Sequence, residues 1–255
     1  MSYNKKYTIT GNKMRVLEYS KPVSNMYKIK RSDFRKSQTP IRLDKSLYRT
    51  RMNIKDSIDS NVTEYSKFIT LTFAEDIKER SKALERFKAF TKRYKKFYKQ
   101  PLKYVAIMEL QAGSDRHEST LDSPRMVWHF HLISFNDFKL DLKEFEKNVW
   151  QYGITNTKKI DSVDNIGLYL MKYITKDFVD KQENHCHLIL KSQGLKKPVI
   201  KYGLKDKQPI IDIKKKVLTF KSDYSYTIPE HVNKLTGEIK KPEKVLVNMK
   251  EYKIE

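Results

Sequence analysis

Apolar and polar positions along the chain change period several times, and each change marks an element. Residues 67–73, Lys-Phe-Ile-Thr-Leu-Thr-Phe, form a short apolar run with two threonines and predict a buried strand. A helical pattern follows over residues 74–98. Ile77, Leu84, Phe87, Tyr94 and Tyr98 fall on one stripe, lysines and arginines fill most of the remainder, and Pro101 stands where the helix must end. Residues 103–110 read as a second strand and residues 127–135 as a third. The turn-rich loop of residues 113–125 between them predicts an antiparallel pair with an enlarged connection. Asp141 with Glu144 three residues on resembles a capping box for a helix of Leu142, Phe145, Val149 and Tyr152, and Gly153 is placed to stop it. A strand over residues 154–160, a helix over residues 161–178 and a strand at residues 187–190 complete the series. Strands joined by both hairpins and helical crossovers predict an α+β domain. Its sheet would be antiparallel or mixed, of split-βαβ type, with helices packed on it.

The flanks have a different texture. Residues 7–10 and 14–19 bracket Gly11-Asn12 and predict a hairpin. Residues 28–51 are basic, broken by Ser, Thr and Pro40, and lack a period; they read either as an arm for phosphate contact or as a solvated linker. From about residue 199 onward, alternating segments and the Thr236-Gly237 turn indicate a β-rich part. The expected division is a basic N-terminal extension over 1–62, a central domain over 63–198 and a β-rich region over 199–255.

Charge narrows the class of partner. Lys and Arg number 53 against 31 Asp and Glu, a formal net charge of +22. Such an excess favours a polyanion, either nucleic acid or an anionic membrane surface, over the plainer reading of a lysine-rich soluble surface. No run of about 18 apolar residues offers a membrane span, and the first residues lead into no apolar segment of signal type. The single Cys186 excludes an intrachain disulfide and a cysteine zinc cluster. A cytosolic protein is expected. No Gly-x-x-x-x-Gly-Lys-Ser/Thr stretch is present, so helicase activity is not expected of this chain.

Candidate chemistry centres on Trp128-His129-Phe130-His131. Residues i and i+2 of a strand share a face, so the two imidazoles project side by side while Phe130 enters the core. Two imidazoles make only a partial metal site; taken alone, they are equally two ordinary strand histidines. Glu109, on the strand expected alongside, would complete a nitrogen/oxygen set suited to magnesium or manganese, or else be an edge carboxylate facing water. On the helix of residues 161–178, Val163, Gly167, Leu170, Ile174 and Phe178 form the packing stripe. Tyr169, Tyr173, Lys172 and Lys176 form a separate wedge. Taken alone, that wedge is the half-buried flank of an ordinary helix with solvated lysines. His117, in the 113–125 loop, is a weaker candidate ligand, and His185 with His187 reads as an incidental strand-edge pair.

In order, Phe68 to Phe73, Glu109, His129-Phe130-His131 and Tyr169 to Lys176 resemble the motif set of the HUH endonucleases, specifically the rolling-circle replication initiators of small plasmids and phages. The histidine–hydrophobic–histidine motif is matched once. The helical tyrosine followed three residues on by lysine is matched twice, by Tyr169/Lys172 and Tyr173/Lys176. The doubled tyrosine is similar to that of the A-type phage initiators, and residues 167–177 also resemble Rep proteins of Gram-positive plasmids and phages. The loop between Glu109 and His129 is longer than in many relatives. The resemblance implies an HUH endonuclease sheet and metal ligation of Mg2+ or Mn2+ by His129, His131 and Glu109. It also implies tyrosine nucleophiles at Tyr169 and Tyr173, with Lys172 and Lys176 positioning the phosphate. Single-stranded origin DNA would be the substrate, with a host helicase and polymerase as partners in a bacterial cytoplasm. Two rivals stand beside it: a non-catalytic single-stranded nucleic-acid binder, whose aromatic sheet stacks bases without cutting, and a transposase or relaxase of the same superfamily.

Overall fold

The computed structural model describes residues 2–24, 40–112, 126–139, 141–158, 166–171, 173–174, 188–204, 207, 209–211, 213–228, 231–232 and 239–255. The chain is α+β and divides into two compact units, one of residues 1–38 with 197–255 and one of residues 39–196. Among the described residues no helix is long and apolar enough to cross a membrane.

The larger unit is built on a five-stranded antiparallel sheet. Its strands are β3 (Lys67–Thr72), β4 (Tyr104–Ala112), β5 (Met126–Ser134), β6 (Thr155–Lys158) and β7 (Ile189–Lys191), in the order β6-β3-β5-β4-β7. The central strands are buried on both faces, which is why residues 67–73 read as a nearly continuous apolar run rather than an alternation. On one face lies α2 (Arg80–Tyr98), which buries Ala83, Phe87, Phe90 and Tyr94 at helical spacing and stacks Phe87 on Phe130 with ring centroids 4.5 Å apart. Each such ring removed from water is worth about 1.5–3 kcal/mol. The helix ends at Lys99 in a left-handed conformation, just before Pro101.

The sequence pattern places the start of this helix at residue 74; the structure starts it at Arg80. The reason lies in Trp128. Its backbone amide donates to the carbonyl of Ile77 at 3.2 Å and its indole to that of Lys78 at 2.8 Å, so those carbonyls are committed away from a helical ladder. The capping box is formed as expected, with the Asp141 carboxylate accepting from the Glu144 amide at 2.9 Å. Helix α3 (Leu142–Phe145) then passes directly into a π-helical turn, Glu146–Trp150. The carbonyls of Val149 and Trp150 at the end of that turn are taken up by the Arg93 guanidinium, at 2.8 and 2.6 Å.

The chain next makes a close approach at Gly153 (φ +152°), where a Cβ atom would collide with the Thr72 carbonyl and the Ala74 amide. The flanking backbone bonds, Ala74 N–H to Tyr152 O at 2.8 Å and Thr72 N–H to Ile154 O at 3.0 Å, leave no room to yield. Gly153→Ala is therefore expected to cost about 3 kcal/mol of stability, measurable as a lowered denaturation midpoint with an unchanged m-value. Gly153 thus separates β3 from β6 rather than ending the preceding helix, which stops at Gln151 in a left-handed conformation.

A further helix, α1 (Pro40–Asp59), overlaps the stretch that reads from sequence as a periodless arm, residues 28–51. Its buried stripe of Leu47, Ile54 and Ile58 begins only near the end of that stretch. Contacts group α1 with the larger unit, not with the N-terminal strands. Facing it is α4 (Ile166–Met171), the described part of the tyrosine-bearing segment. Gly167 of α4 lies so close to α1 that a Cβ there would meet Lys55 Cγ at 3.3 Å and Asp59 Oδ1 at 3.5 Å, two residues joined by a buried ion pair of 2.9 Å.

The smaller unit is a second antiparallel sheet. Its strands are β1 (Ser2–Thr10), β2 (Lys13–Ser24), β8 (Val199–Gly203), β9 (Lys216–Ile228) and β12 (Glu243–Ile254), in the order β8-β1-β2-β12-β9. The two-residue strands β10 (His231–Val232) and β11 (Ile239–Lys240) pair as a separate hairpin. The Gly11-Asn12 turn is formed as expected, but the hairpin it closes is longer than the pattern showed. Its second strand pairs with β12, Glu18 opposite Asn248, so the two ends of the chain share one sheet.

Candidate active site

Strand register assembles the site. In β5, His129 lies opposite Glu109 of β4 and Thr72 of β3, and His131 lies opposite Ile107 and Thr70. Because side chains alternate, Phe68, Thr70, Thr72, Glu109, His129 and His131 share one face, and Phe130 points to the other, against Phe87. The expectation that Glu109 sits beside the paired histidines is met by the register itself.

His131 is nearly enclosed, 5 % exposed. Its Nε2 is 2.8 Å from Glu109 Oε2, and its Nδ1 is 3.3 Å from the Thr70 hydroxyl. His129 Nδ1 is 3.1 Å from the carbonyl of Val127. A carbonyl only accepts, so this bond assigns the proton to Nδ1 and leaves the lone pair on Nε2.

The tyrosines come from α4 and the turn after it. Tyr169 lies within α4. Tyr173 follows the helix, its amide donating to the Leu170 carbonyl at 3.2 Å. The Tyr173 ring stacks on His131, centroids 3.7 Å apart and planes 13° apart. Tyr169 meets Phe68 edge-on at 4.9 Å and Tyr173 at 6.2 Å. Burial, followed by a hydrogen bond with Tyr169 and the nearby Glu109 carboxylate, holds the Tyr173 phenol proton well above the usual tyrosine range. Below the turn, Arg51 of α1 donates from Nε (3.0 Å) and Nη2 (2.8 Å) to the carbonyl of Ile174, fixing the chain next to Tyr173. Leu170 and Ile174 are fully buried, as the predicted packing stripe requires.

Tyr173, His131 and Glu109 are thus in one chain of contacts, and Tyr169 joins it through Phe68 and Tyr173. His129 shares the face and stands opposite Glu109. Among the described residues, however, no three His, Cys, Asp or Glu side chains converge as a ready three-ligand cluster. What converges is the His131–Glu109 pair. Its donor chemistry, one imidazole nitrogen and one carboxylate oxygen with a second imidazole on the same face, suits a divalent cation, and a proton between Nε2 and Oε2 occupies the place such a cation would take. Lys172, Lys176, His117, His185 and His187 lie outside the described residues. Three residues of the site carry no role of their own in the sequence reading. Thr70 and Phe68 were legible as the same-face positions of β3. Arg51 gave no local signal, because its helix was not recognised.

Residues 66–178 match the family model of the replication-associated protein ORF2, a span running from the start of β3 past Tyr173 and so covering every site residue except Arg51. No curated protein and no solved structure matches the chain. The family match supports a replication initiator, and with it DNA as a partner.

Proposed function

We propose that this chain initiates rolling-circle replication by nicking single-stranded origin DNA at an HUH-type site in the larger unit. The observation that carries the reading is the stack of Tyr173 on His131, with His131 bonded to Glu109. A phenol, an imidazole and a carboxylate are thereby within reach of one backbone phosphate. The phenol oxygen forms a bond to phosphorus as the bond from phosphorus to the 3′ oxygen breaks. The phenol proton passes to solvent, and the 3′ oxygen leaves as a hydroxyl that a polymerase extends. The product is a 5′-phosphotyrosyl enzyme, which keeps the phosphodiester energy for later rejoining without ATP. A divalent cation, Mg2+ or Mn2+, held by His129, His131 and Glu109 supplies Lewis-acid polarisation of the phosphate.

The residues divide the work. Tyr169 is the first nucleophile. Tyr173 keeps its proton and is the donor in the pair, so its hydroxyl stabilises negative charge on the Tyr169 oxygen. Tyr173 is then placed to take the strand in a second transfer. Thr70 and the Val127 carbonyl fix the ring orientations of His131 and His129. Lys172 and Lys176 position the phosphate. A host helicase opens the duplex ahead of the enzyme. Incubation with an origin oligonucleotide and manganese tests the proposal: a covalent protein–DNA band is expected, and its absence with every origin strand and metal tried would overturn it.

Arg51 is a positioning residue in this scheme. Arg51→Ala frees the Ile174 carbonyl and is expected to slow single-turnover cleavage about tenfold or more while leaving DNA affinity unchanged. Arg51→Lys, which restores the charge but not the two-pronged grip, should give an intermediate rate. Single-turnover rates beside anisotropy titrations check both.

A further inference from the structure

The smaller unit carries a tyrosine cluster that the nicking reaction does not use. Tyr19 of β2 and Tyr224 of β9 both stand opposite Val247 of β12, and Tyr226 stands opposite Val245, so all three share one face of the sheet. Tyr3 of β1 joins them, 5.8 Å from Tyr19, and Tyr202 of β8 packs on Tyr3 at 4.4 Å. The five rings thus span the sheet from edge to edge. Burial and the neighbouring hydroxyls of Tyr3, Tyr224, Tyr226 and Tyr202 hold the Tyr19 proton well above the usual range, so the cluster is neutral. Its middle is packed on Val23, Val245 and Val247, but its ends are open, with Tyr202 37 % and Tyr224 39 % exposed. A cavity of about 550 Å3 crosses the strands here, its lining including Tyr19, Val247 and Tyr224.

Charge indicates the occupant. The smaller unit holds 24 of the 53 Lys and Arg but 10 of the 31 Asp and Glu. A net +14 of the chain's +22 therefore sits on 97 of its 255 residues. Rings with open faces in a unit of that charge suit a strand whose bases are unpaired and whose phosphates are anionic. We propose that this tyrosine face is a second DNA site, which stacks the bases of single-stranded DNA on Tyr202 and Tyr224. The choice of DNA rests on the proposed replication function; the stacking itself does not.

Anisotropy of a labelled 15-mer oligothymidine and of a duplex of equal length, titrated with the full-length chain over a range of salt, tests it. The Tyr202→Ala/Tyr224→Ala variant is expected to lose about tenfold or more in affinity for the single strand, with an unchanged salt slope and unchanged duplex affinity. Tyr202→Phe/Tyr224→Phe should bind as the parent does, since the rings remain. Melting temperatures of all forms should agree, because both side chains are exposed. Equal single-strand affinity in the alanine variant would overturn the proposal, as would equal losses on strand and duplex. A dimer converted to a monomer by the alanine pair would also overturn it, by assigning the face to a second copy. Adduct formation at saturating origin DNA separates this result from the nicking reading: it should persist in the alanine variant whether or not stacking is lost.

Discussion

The Tyr169→Phe/Tyr173→Phe variant is expected to form no covalent DNA adduct, a loss of at least about 10³-fold, while folding normally and binding DNA with unchanged affinity. Phenylalanine keeps both rings, so the 3.7 Å stack on His131 and the edge contact with Phe68 survive and only the hydroxyls are removed. The single variants separate the two roles. Tyr169→Phe should abolish the first cleavage. Tyr173→Phe should leave a slowed first cleavage, because Tyr173 donates the hydrogen bond that steadies charge on Tyr169, and should block the second transfer. Denaturing gels of labelled oligonucleotide, with and without a second acceptor strand, resolve these outcomes. An adduct that persists in the double variant places the nucleophile elsewhere.

Chelation of divalent metal, or Glu109→Gln, is expected to lower nicking by about 10²- to 10³-fold with salt-dependent DNA binding intact. Glutamine has the shape of glutamate without its charge, so packing at the partly exposed Glu109 position is kept. What is lost is the anionic partner of His131 Nε2 at 2.8 Å. His131→Ala should do the same to nicking but at a stability cost, since it also empties a nearly enclosed position between Thr70 and Tyr173. The contrast is informative: the glutamine variant should melt with the parent and the alanine variant below it. Full activity of Glu109→Gln in excess chelator would remove the carboxylate and the cation from the mechanism together. Single-turnover rates and thermal melts are sufficient to decide.

How much of this was legible in the sequence follows from the range of the interactions. Period-two and period-3.6 patterns are local, and they located β3, β4 and β5. The face shared by His129 and His131 followed from alternation alone, and the Glu109–His129 juxtaposition from expecting the two strands to pair. The paired tyrosines followed from one helical turn, although the described helix stops at Met171 and Tyr173 sits in the next turn. Features set by distant partners were not legible. Trp128 withdraws two carbonyls from the start of α2 and shortens it. The stripe of α1 is hidden behind a basic, irregular start, so Arg51 was invisible as a support for the tyrosine turn. The smaller sheet pairs residues more than two hundred positions apart, as in Glu18 with Asn248, and no local pattern encodes such a pairing.

The most direct test of the central claim is mass spectrometry of the trapped adduct. After reaction with a 5′-to-3′ defined origin oligonucleotide and manganese, and digestion of protein and DNA, the account predicts one nucleotide-bearing peptide. Its phosphate should be linked through a 5′ position to Tyr169, or to Tyr173 in the second transfer. A modified peptide at any other residue, or cleavage without any linked peptide, would contradict it.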